Sequence, residues 1–403
     1  MNLKELGTVC DLQNGYAFKS DDYIEASQTV SLRMSNIRPG GTFDNNYNLR
    51  YLPNSFQEKY SNYLIKDGDL VIAMTDLAND PKILGIPTIV ETGENVWLLN
   101  QRAGKLVIKD SSQADKNYLR YILNHPIHRN YYKMFAGGGL QINVGKKEIL
   151  GVKIPLPPLK SQQKISQILE DAAALRDKTK QLLTEYNLLA QSIFLDMFGD
   201  ARINTKGFKK ELLKNICGVG SSRRVFVKDI VESGVPFYRG KEIGELSEGK
   251  SIKADLFLTQ AHYENLAKAT GVPKIGDLLM PSICPDGRIL SVETNEPFYF
   301  KDGRVLWIKV DASKINSFYL KFFLRELFRT NYSNIASGTT FAELKIVALK
   351  KIKILLPPIE LQNQFAEKIA LIEQQKTLAK KELQESEDLF NCLLQKAFKG
   401  TLV

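Results

Sequence analysis

Histidine is scarce in this chain, three in 403 residues. It is the side chain whose charge changes nearest neutral pH, so imidazole acid–base catalysis has thin support. His125 and His128 flank Pro126 with no cysteine or obvious carboxylate nearby. They make a poor zinc pair and read better as surface or cap histidines. The four cysteines, Cys10, Cys217, Cys284 and Cys392, form no C-x-x-C pair, which excludes a disulfide framework and suits reduced thiols in a cytoplasmic protein. No run approaches about 18 apolar residues, so no membrane span is expected. The stretch MNLKELGTVCDLQNGYAF lacks the apolar core of a signal peptide.

The signatures of several enzyme classes are missing too. There is no G-x-x-x-x-G-K-[ST] loop and no G-x-G-x-x-G after a strand. Pro285-Asp286 could open a metal-dependent nuclease site, but Glu293 is followed by Thr294 and Asn295, without the lysine. The Pro-Pro pairs lack the polar acceptor and stacking ring that bind a target base in amino-methyltransferases. Their neighbours are Leu156 and Leu159, or Leu356 and Ile359.

What is present is a duplication. IPLPPLKSQQKI (154–165) recurs as ILLPPIELQNQF (354–365), and Lys153/Lys353, Pro157/Pro357, Pro158/Pro358 and Gln162/Gln362 are identical. YLRYIL (118–123) matches YLKFFL (319–324). LVIK (106–109) matches LWIK (306–309), and IKDGDL (65–70) matches PKIGDL (273–278). VSLRMSNI (30–37) resembles PFYRGKEI (236–243), which puts Arg33 opposite Arg239. Each copy mixes short apolar strands, such as DLVIAMTD and DLLMPSIC, with amphipathic helices, DKNYLRYILNHPIHRNYYKMF and SFYLKFFLRELFRTNYSNI. The fold class is therefore α+β.

The prolines end a strand and open a helix. Ile165, Ile168, Ala172, Leu175, Leu182, Tyr186, Leu189 and Ile193 follow three- and four-residue steps, with Thr179 interrupting. This is a coiled-coil seam. A less regular stripe, including Phe365, Ile369, Ile372, Ala379 and Leu383, follows the second proline pair. Forty residues of helix span about 60 Å, and the economical partner for each long helix is the other. The boundaries expected are a first globule over 1–155, a helix over 156–200, a second globule over 201–355 and a second helix over 356–403.

The net charge of +10 and pI of about 9.1 lean towards a polyanionic partner. The polar loops suit base recognition. TDLANDPK (75–82) and LNQRAG (99–104) carry Thr75, Asp76, Gln101 and Arg102. AGGGLQINVGKK (136–147) and ASGTTFAELK (336–345) occupy equivalent places and supply Gln141, Asn143, Thr339 and Thr340. Arginine reads guanine, amides read adenine and a carboxylate accepts from cytosine. Any one of these residues fits a plain polar turn equally well; the duplicated set on a basic chain favours recognition. Lys241, Ser282 and Arg288 complete the second copy's candidates.

With these motifs the chain resembles the specificity subunits of type I restriction-modification systems. The resemblance rests on the paired proline segments behind Gly-containing loops, KDGDLVIAMT and KIGDLLMPS, the long helices and the terminal LLQKAFKGTLV. It implies two target recognition domains, separated by two long antiparallel coiled-coil helices in pseudo-twofold relation. Each domain would read half of a bipartite, asymmetric site in double-stranded DNA. The helices would set the spacer and dock two modification (methyltransferase) subunits, with Ile168, Leu175, Leu182, Leu189 and Ile369 carrying helix pairing and docking. ATP-dependent restriction subunits would join for cleavage. The subunit itself would be non-catalytic and hold no cofactor, with S-adenosylmethionine and ATP on its partners. Rival readings are a self-contained methyltransferase or nuclease with a degenerate site, and a coiled-coil scaffold that never touches DNA.

Overall fold

A computed structural model describes residues 3–137, 139–338 and 342–403. The chain divides into two compact units, Met1–Gln181 with Lys380–Val403, and Leu182–Ala379. Each is α+β, and their topologies repeat.

In unit 1 a four-stranded antiparallel sheet runs in the order Cys10–Asn14, Ala103–Ile108, Leu70–Ala73, Pro87–Ile89. In unit 2 the order is Cys217–Gly220, Val305–Val310, Leu278–Pro281, Leu290–Ser291. Each unit also has a smaller sheet built on one parallel pair, Thr29–Leu32 with Val96–Leu99 and Val235–Tyr238 with Tyr299–Phe300. The strand before each proline pair closes on the strand that opens its unit, Lys153–Pro155 on Leu3–Glu5 and Lys353–Leu356 on Lys209–Leu212.

The shared G-D-L motif is a turn. Gly68 and Gly276 sit at φ of 77° and 92°, where only glycine is unstrained. The following aspartates accept backbone N–H bonds across the turn, Asp69 from Lys66 at 2.8 Å and Asp277 from Lys274 at 3.0 Å. Each also pins the central strand: Lys105 Nζ lies 2.7 Å from Asp69, and Trp307 Nε1 donates to Asp277 at 2.9 Å.

The repeated Pro-Pro-x-x-x-Gln segment is a joint. Gln162 is fully buried; its Oε1 accepts from Asp115 N–H at 2.9 Å and its Nε2 donates to the Gln113 and Pro157 carbonyls at 2.8 Å. Gln362, equally buried, accepts from Asn316 N–H at 2.9 Å and donates to the Pro357 carbonyl at 2.8 Å. Asp115 and Asn316 are themselves N-caps of the helices Lys116–Leu123 and Ser317–Ile335. One amide thus ties the start of each long helix to the start of a core helix. The core helix is tied again by its tyrosine: Tyr118 donates to the Pro155 carbonyl at 2.7 Å and Tyr319 to the Leu355 carbonyl at 2.9 Å.

The two core helices differ. Unit 2 keeps one helix of 19 residues, whereas unit 1 breaks into Lys116–Leu123 and Pro126–Lys133. Pro126 cannot continue the first helix and starts the second as its N1 residue.

The long helices are Leu159–Phe198 and Ile359–Lys399. In unit 1, residues 159–181 pack against 380–399. Arg176 stacks 5.0 Å from the Phe390 ring centre, and Lys180 lies 3.1 Å from Glu387; rising numbers on one helix meet falling numbers on the other, so the pair is antiparallel. In unit 2, Phe194 and Phe198 meet Phe365 at 5.7 and 5.2 Å between ring centres. No seam position is exposed in either helix at 162, 165, 169, 172, 176, 179, 183, 186, 190, 193 and 197, or at each of these plus 200. The expected register is therefore corrected by one residue on alternate steps. Leu175 and Leu189 are 45% and 47% exposed, Ile168 and Leu182 are half-buried, and Ile369 is on the seam. Polar seam residues, Gln162, Arg176 and Thr179, hid the true register, since long charged side chains bury their aliphatic stems.

Cys10, Cys217 and Cys284 are buried thiols and Cys392 is exposed; all are free. Burial pushes the Cys10 thiol up to about 12. Among the described residues no helix is long and apolar enough to cross a membrane.

Candidate nucleic-acid interface

In each unit three backbone segments meet at one end of the main sheet, and the same two hydrogen bonds join them. In unit 1, Met74 N–H donates to the Arg102 carbonyl at 3.0 Å and Val144 N–H to the Met74 carbonyl at 2.9 Å. In unit 2, Ser282 N–H donates to the Arg304 carbonyl at 2.9 Å and Leu344 N–H to the Ser282 carbonyl at 2.7 Å. This pairing makes Arg102 the counterpart of Arg304, and Asn143 the counterpart of Glu343. A fourth segment closes each junction. Asn100 N–H donates to the Leu32 carbonyl beside Arg33 at 3.0 Å. A side chain begun at Gly240, beside Arg239, would stand 3.3 Å from the Arg304 carbonyl.

Unit 1 gathers most of its expected residues here. Gln141–Asn143 pairs antiparallel with Thr75–Leu77, and the Thr75 hydroxyl donates to Asn143 Oδ1 at 2.7 Å. Gln101 is exposed, while Arg33, Arg102 and Gln141 are half-exposed. Asp76 is a correction. It is buried, and its carboxylate accepts from the Leu77, Ile83 and Leu84 amides at 2.8, 2.5 and 3.1 Å. Those bonds commit it to shaping the 77–84 loop and leave it poorly placed to accept from a base.

Unit 2 gathers a different set. The buried Ser282 hydroxyl donates to Glu343 Oε1 at 2.9 Å, and Arg304 reaches the same oxygen at 3.1 Å. Arg239 forks onto Glu242 with bonds of 3.1 and 2.5 Å. Its hydrogen bond to Glu242 raises the Arg239 pKa, and the same contact holds the Glu242 carboxyl below its usual range against the opposing effect of burial. Lys241 is solvent-exposed, 3.9 Å from Glu245. Arg288 pairs with Asp286 at 2.8 Å and lies against Gly244. Thr339 and Thr340 lie outside the described residues.

Arg304 and Glu343 were missed by sequence reasoning. The insert between G-D-L and L-x-I-K differs in length, and local spacing shifts from 200 to 202, so Arg102 and Arg304 do not align by a fixed offset. The RAGKLVIK and RVLWIKV runs carried the signal, because each begins with its arginine.

The histidine pair is buried, not on the surface, although His125 does cap the helix it precedes, accepting from Ile127 N–H at 3.3 Å. Its ring stacks on Phe398 at 4.4 Å, and His128 meets the same ring at 5.6 Å. Burial drives the His128 pKa down to about 4. Among the described residues no group of three metal-ligating side chains comes together.

The family model for the type I restriction modification DNA specificity domain matches the chain twice, over residues 1–186 and 206–387. A putative type I restriction enzyme MjaX specificity subunit of Methanocaldococcus jannaschii is 25% identical over 348 residues, which are 84% of this chain and 79% of that protein. A putative specificity subunit of Haemophilus influenzae, S.HindORF215P, is 25% identical over 251 residues, 61% of this chain and 62% of that one. Among solved structures, the type I S subunit from M. genitalium superposes with a TM-score of 0.55 at 16% identity, covering 98% of this chain and 96% of its own. A chain from a study of complex assembly and conformational transition in the type I R-M system gives 0.56 at 17% identity, covering 100% and 98%. These two likenesses concern the fold.

Proposed function

Given that this chain belongs to the family of type I restriction-modification DNA specificity subunits, which are non-catalytic, we propose that its two units read two different halves of a bipartite, asymmetric site in double-stranded DNA. The observation that carries this reading is the repeated junction. One backbone frame presents Arg33, Arg102 and Asn143 in unit 1, and Arg239, Arg304 and Glu343 in unit 2.

The chemistry of the two sets differs where discrimination is made. Arginine forks onto guanine, an amide reads adenine, and a carboxylate accepts from cytosine, each good contact worth about 1–3 kcal/mol of discrimination. In unit 1, Gln101, Gln141 and Asn143 supply amides and Thr75 orients Asn143. In unit 2, Ser282 and Arg304 hold Glu343, and Thr339 and Thr340 would add hydroxyl groups to that set. Lys241 and Arg288 serve phosphates, whose contacts position the duplex without reading it. That electrostatic component falls steeply with salt.

The long helices set the number of unread base pairs between the halves and dock two modification subunits, with the exposed Leu175 and Leu189 on the docking face. ATP-dependent restriction subunits join that assembly. S-adenosylmethionine and ATP reside on these partners. The test is competition binding by the assembled modification complex. Arg304→Ala should relax discrimination in one half-site only, whereas Lys241→Ala should weaken binding to all sequences alike. Uniform weakening by Arg304→Ala would defeat the assignment.

A further inference from the structure

Unit 2 holds a cavity at the end of its core helix. Its volume is 440 Å³, and it opens between the end of the helix Ser317–Ile335 and the strands Lys209–Leu212 and Lys353–Leu356. Buried Leu327 and Leu355 form an apolar floor. Asn331 and Asn334, joined by a 2.5 Å amide–amide hydrogen bond, stand on one wall. Arg202, Lys210, Lys351 and Lys353 line the rest. Arg202 is neutralised by Asp200 at 2.8 Å. The three lysines are exposed, and among the described residues none of them has a carboxylate partner.

The equivalent place in unit 1 carries bulkier side chains, and its one matching lysine, Lys153, is joined by two glutamates. Residues 131–153 and 331–353 correspond at a spacing of 200, anchored by the buried pair Tyr132 and Tyr332. Where unit 2 has Asn331 and Ile335, unit 1 has Tyr131 and Phe135, whose rings meet at 5.3 Å. Where unit 2 has Lys351, unit 1 has Gly151, and the Tyr131 hydroxyl stands 3.2 Å from the point where a side chain would begin. Glu5 and Glu148 lie close enough to act on Tyr131; their counterparts are Leu212 and Ala348. Relative to unit 1, unit 2 has smaller side chains here, lacks two carboxylates and has two more lysines, Lys351 in place of Gly151 and Lys210 in place of Leu3.

We propose that this cavity of unit 2 binds a phosphate-bearing anion of nucleotide size, its phosphates met by Lys210, Lys351 and Lys353. The volume falls within the range of small-ligand sites, about 300–1,000 Å³. Three lysines without a carboxylate partner lining one concavity suit two or more anionic oxygens. The apolar floor and paired amides suit the flat, polar-edged body of a nucleobase. The phosphate has two possible sources, a free nucleotide or a nucleotide of a DNA strand laid across this face. The site is independent of which bases the two junctions read.

The test is calorimetric titration of the full-length chain at low salt with ADP, pyrophosphate and adenosine. ADP and pyrophosphate should bind and adenosine should not. A Lys351→Glu/Lys353→Glu double variant should weaken ADP binding by about tenfold or more, the loss expected for hydrogen bonds to charged groups. Asn331→Tyr, which copies unit 1, should block ADP by filling the cavity, so the outcome does not hang on one variant's folding. Competition between ADP and a random duplex identifies the DNA strand as the phosphate source; independent binding identifies a free nucleotide. The proposal is overturned if millimolar ADP gives no binding, if adenosine binds equally well, or if both variants, folded as judged by Trp307 fluorescence, bind ADP as the parent does.

Discussion

Replacing Gln162 by alanine removes the joint between the first long helix and unit 1 while leaving every charged and base-reading residue in place. The side chain is fully buried and makes three hydrogen bonds, one accepted from Asp115 N–H and two donated to the Gln113 and Pro157 carbonyls. A stranded buried group costs about 1–3 kcal/mol. The carbonyls recover part of that through water admitted to the space, but the Asp115 amide has little freedom, because its residue is fixed as a helix N-cap. A net loss of about 3 kcal/mol for unit 1 follows. The chain contains one tryptophan in each unit, Trp97 and Trp307, both buried. In a Trp307→Phe background, Trp97 fluorescence during urea unfolding therefore reports unit 1 alone. The expected result is a lower midpoint for the Trp97 transition. A loss below about 1 kcal/mol, no more than an ordinary surface hydrogen bond, would show that the repeated glutamine is not a joint and that the reason for its recurrence lies elsewhere.

Three further outcomes are expected. Leu169→Ala, at a fully buried seam position, should cost about 2–5 kcal/mol in the same assay, whereas Leu175→Glu, in the same unit, should stay within about 0.5 kcal/mol; the reverse order would restore the register read from sequence. His128 is held neutral down to about pH 4, against an ordinary value of 6.5. The unfolded chain takes up that proton first as pH falls through 6.5, so unit 1 should lose about 3 kcal/mol between there and pH 4 and no more from this group below it; His128→Phe should flatten that slope in urea midpoints taken across the window. Glu343→Gln in the assembled complex should change the preferred base at one position of the second half-site while total non-specific binding, read from its salt dependence, stays unchanged.

The duplicated architecture was legible because its determinants are local and survive as letters. Proline pairs end strands, G-D-L needs a left-handed glycine, and both recur in order. The seam was only partly legible. Apolar letters favoured Leu175, Leu182 and Leu189, but the helices bury the stems of Arg176 and Lys376 and the amides of Gln162 and Gln362 instead, and no hydropathy pattern distinguishes those from surface residues. At the candidate interface, Thr75, Gln141 and Asn143 come together as two short segments that pair, each segment being legible as a polar cluster in sequence. Asp76 was misjudged because its role depends on amides seven and eight residues away. Arg304 and Glu343 escaped because they are separated by 39 residues and meet only in the folded chain, through a 3.1 Å side-chain contact and backbone bonds to Ser282.

The central claim is that two units on one chain read two dissimilar half-sites independently. The most direct measurement is sequencing of methylated adenines in cells that carry this chain with its companion subunits, before and after residues 206–352 are exchanged for those of a relative with different specificity. The exchange should replace one half of the methylated sequence and leave the other half and the spacer length intact. A change in both halves, or in the spacer, would contradict independent reading by the two units.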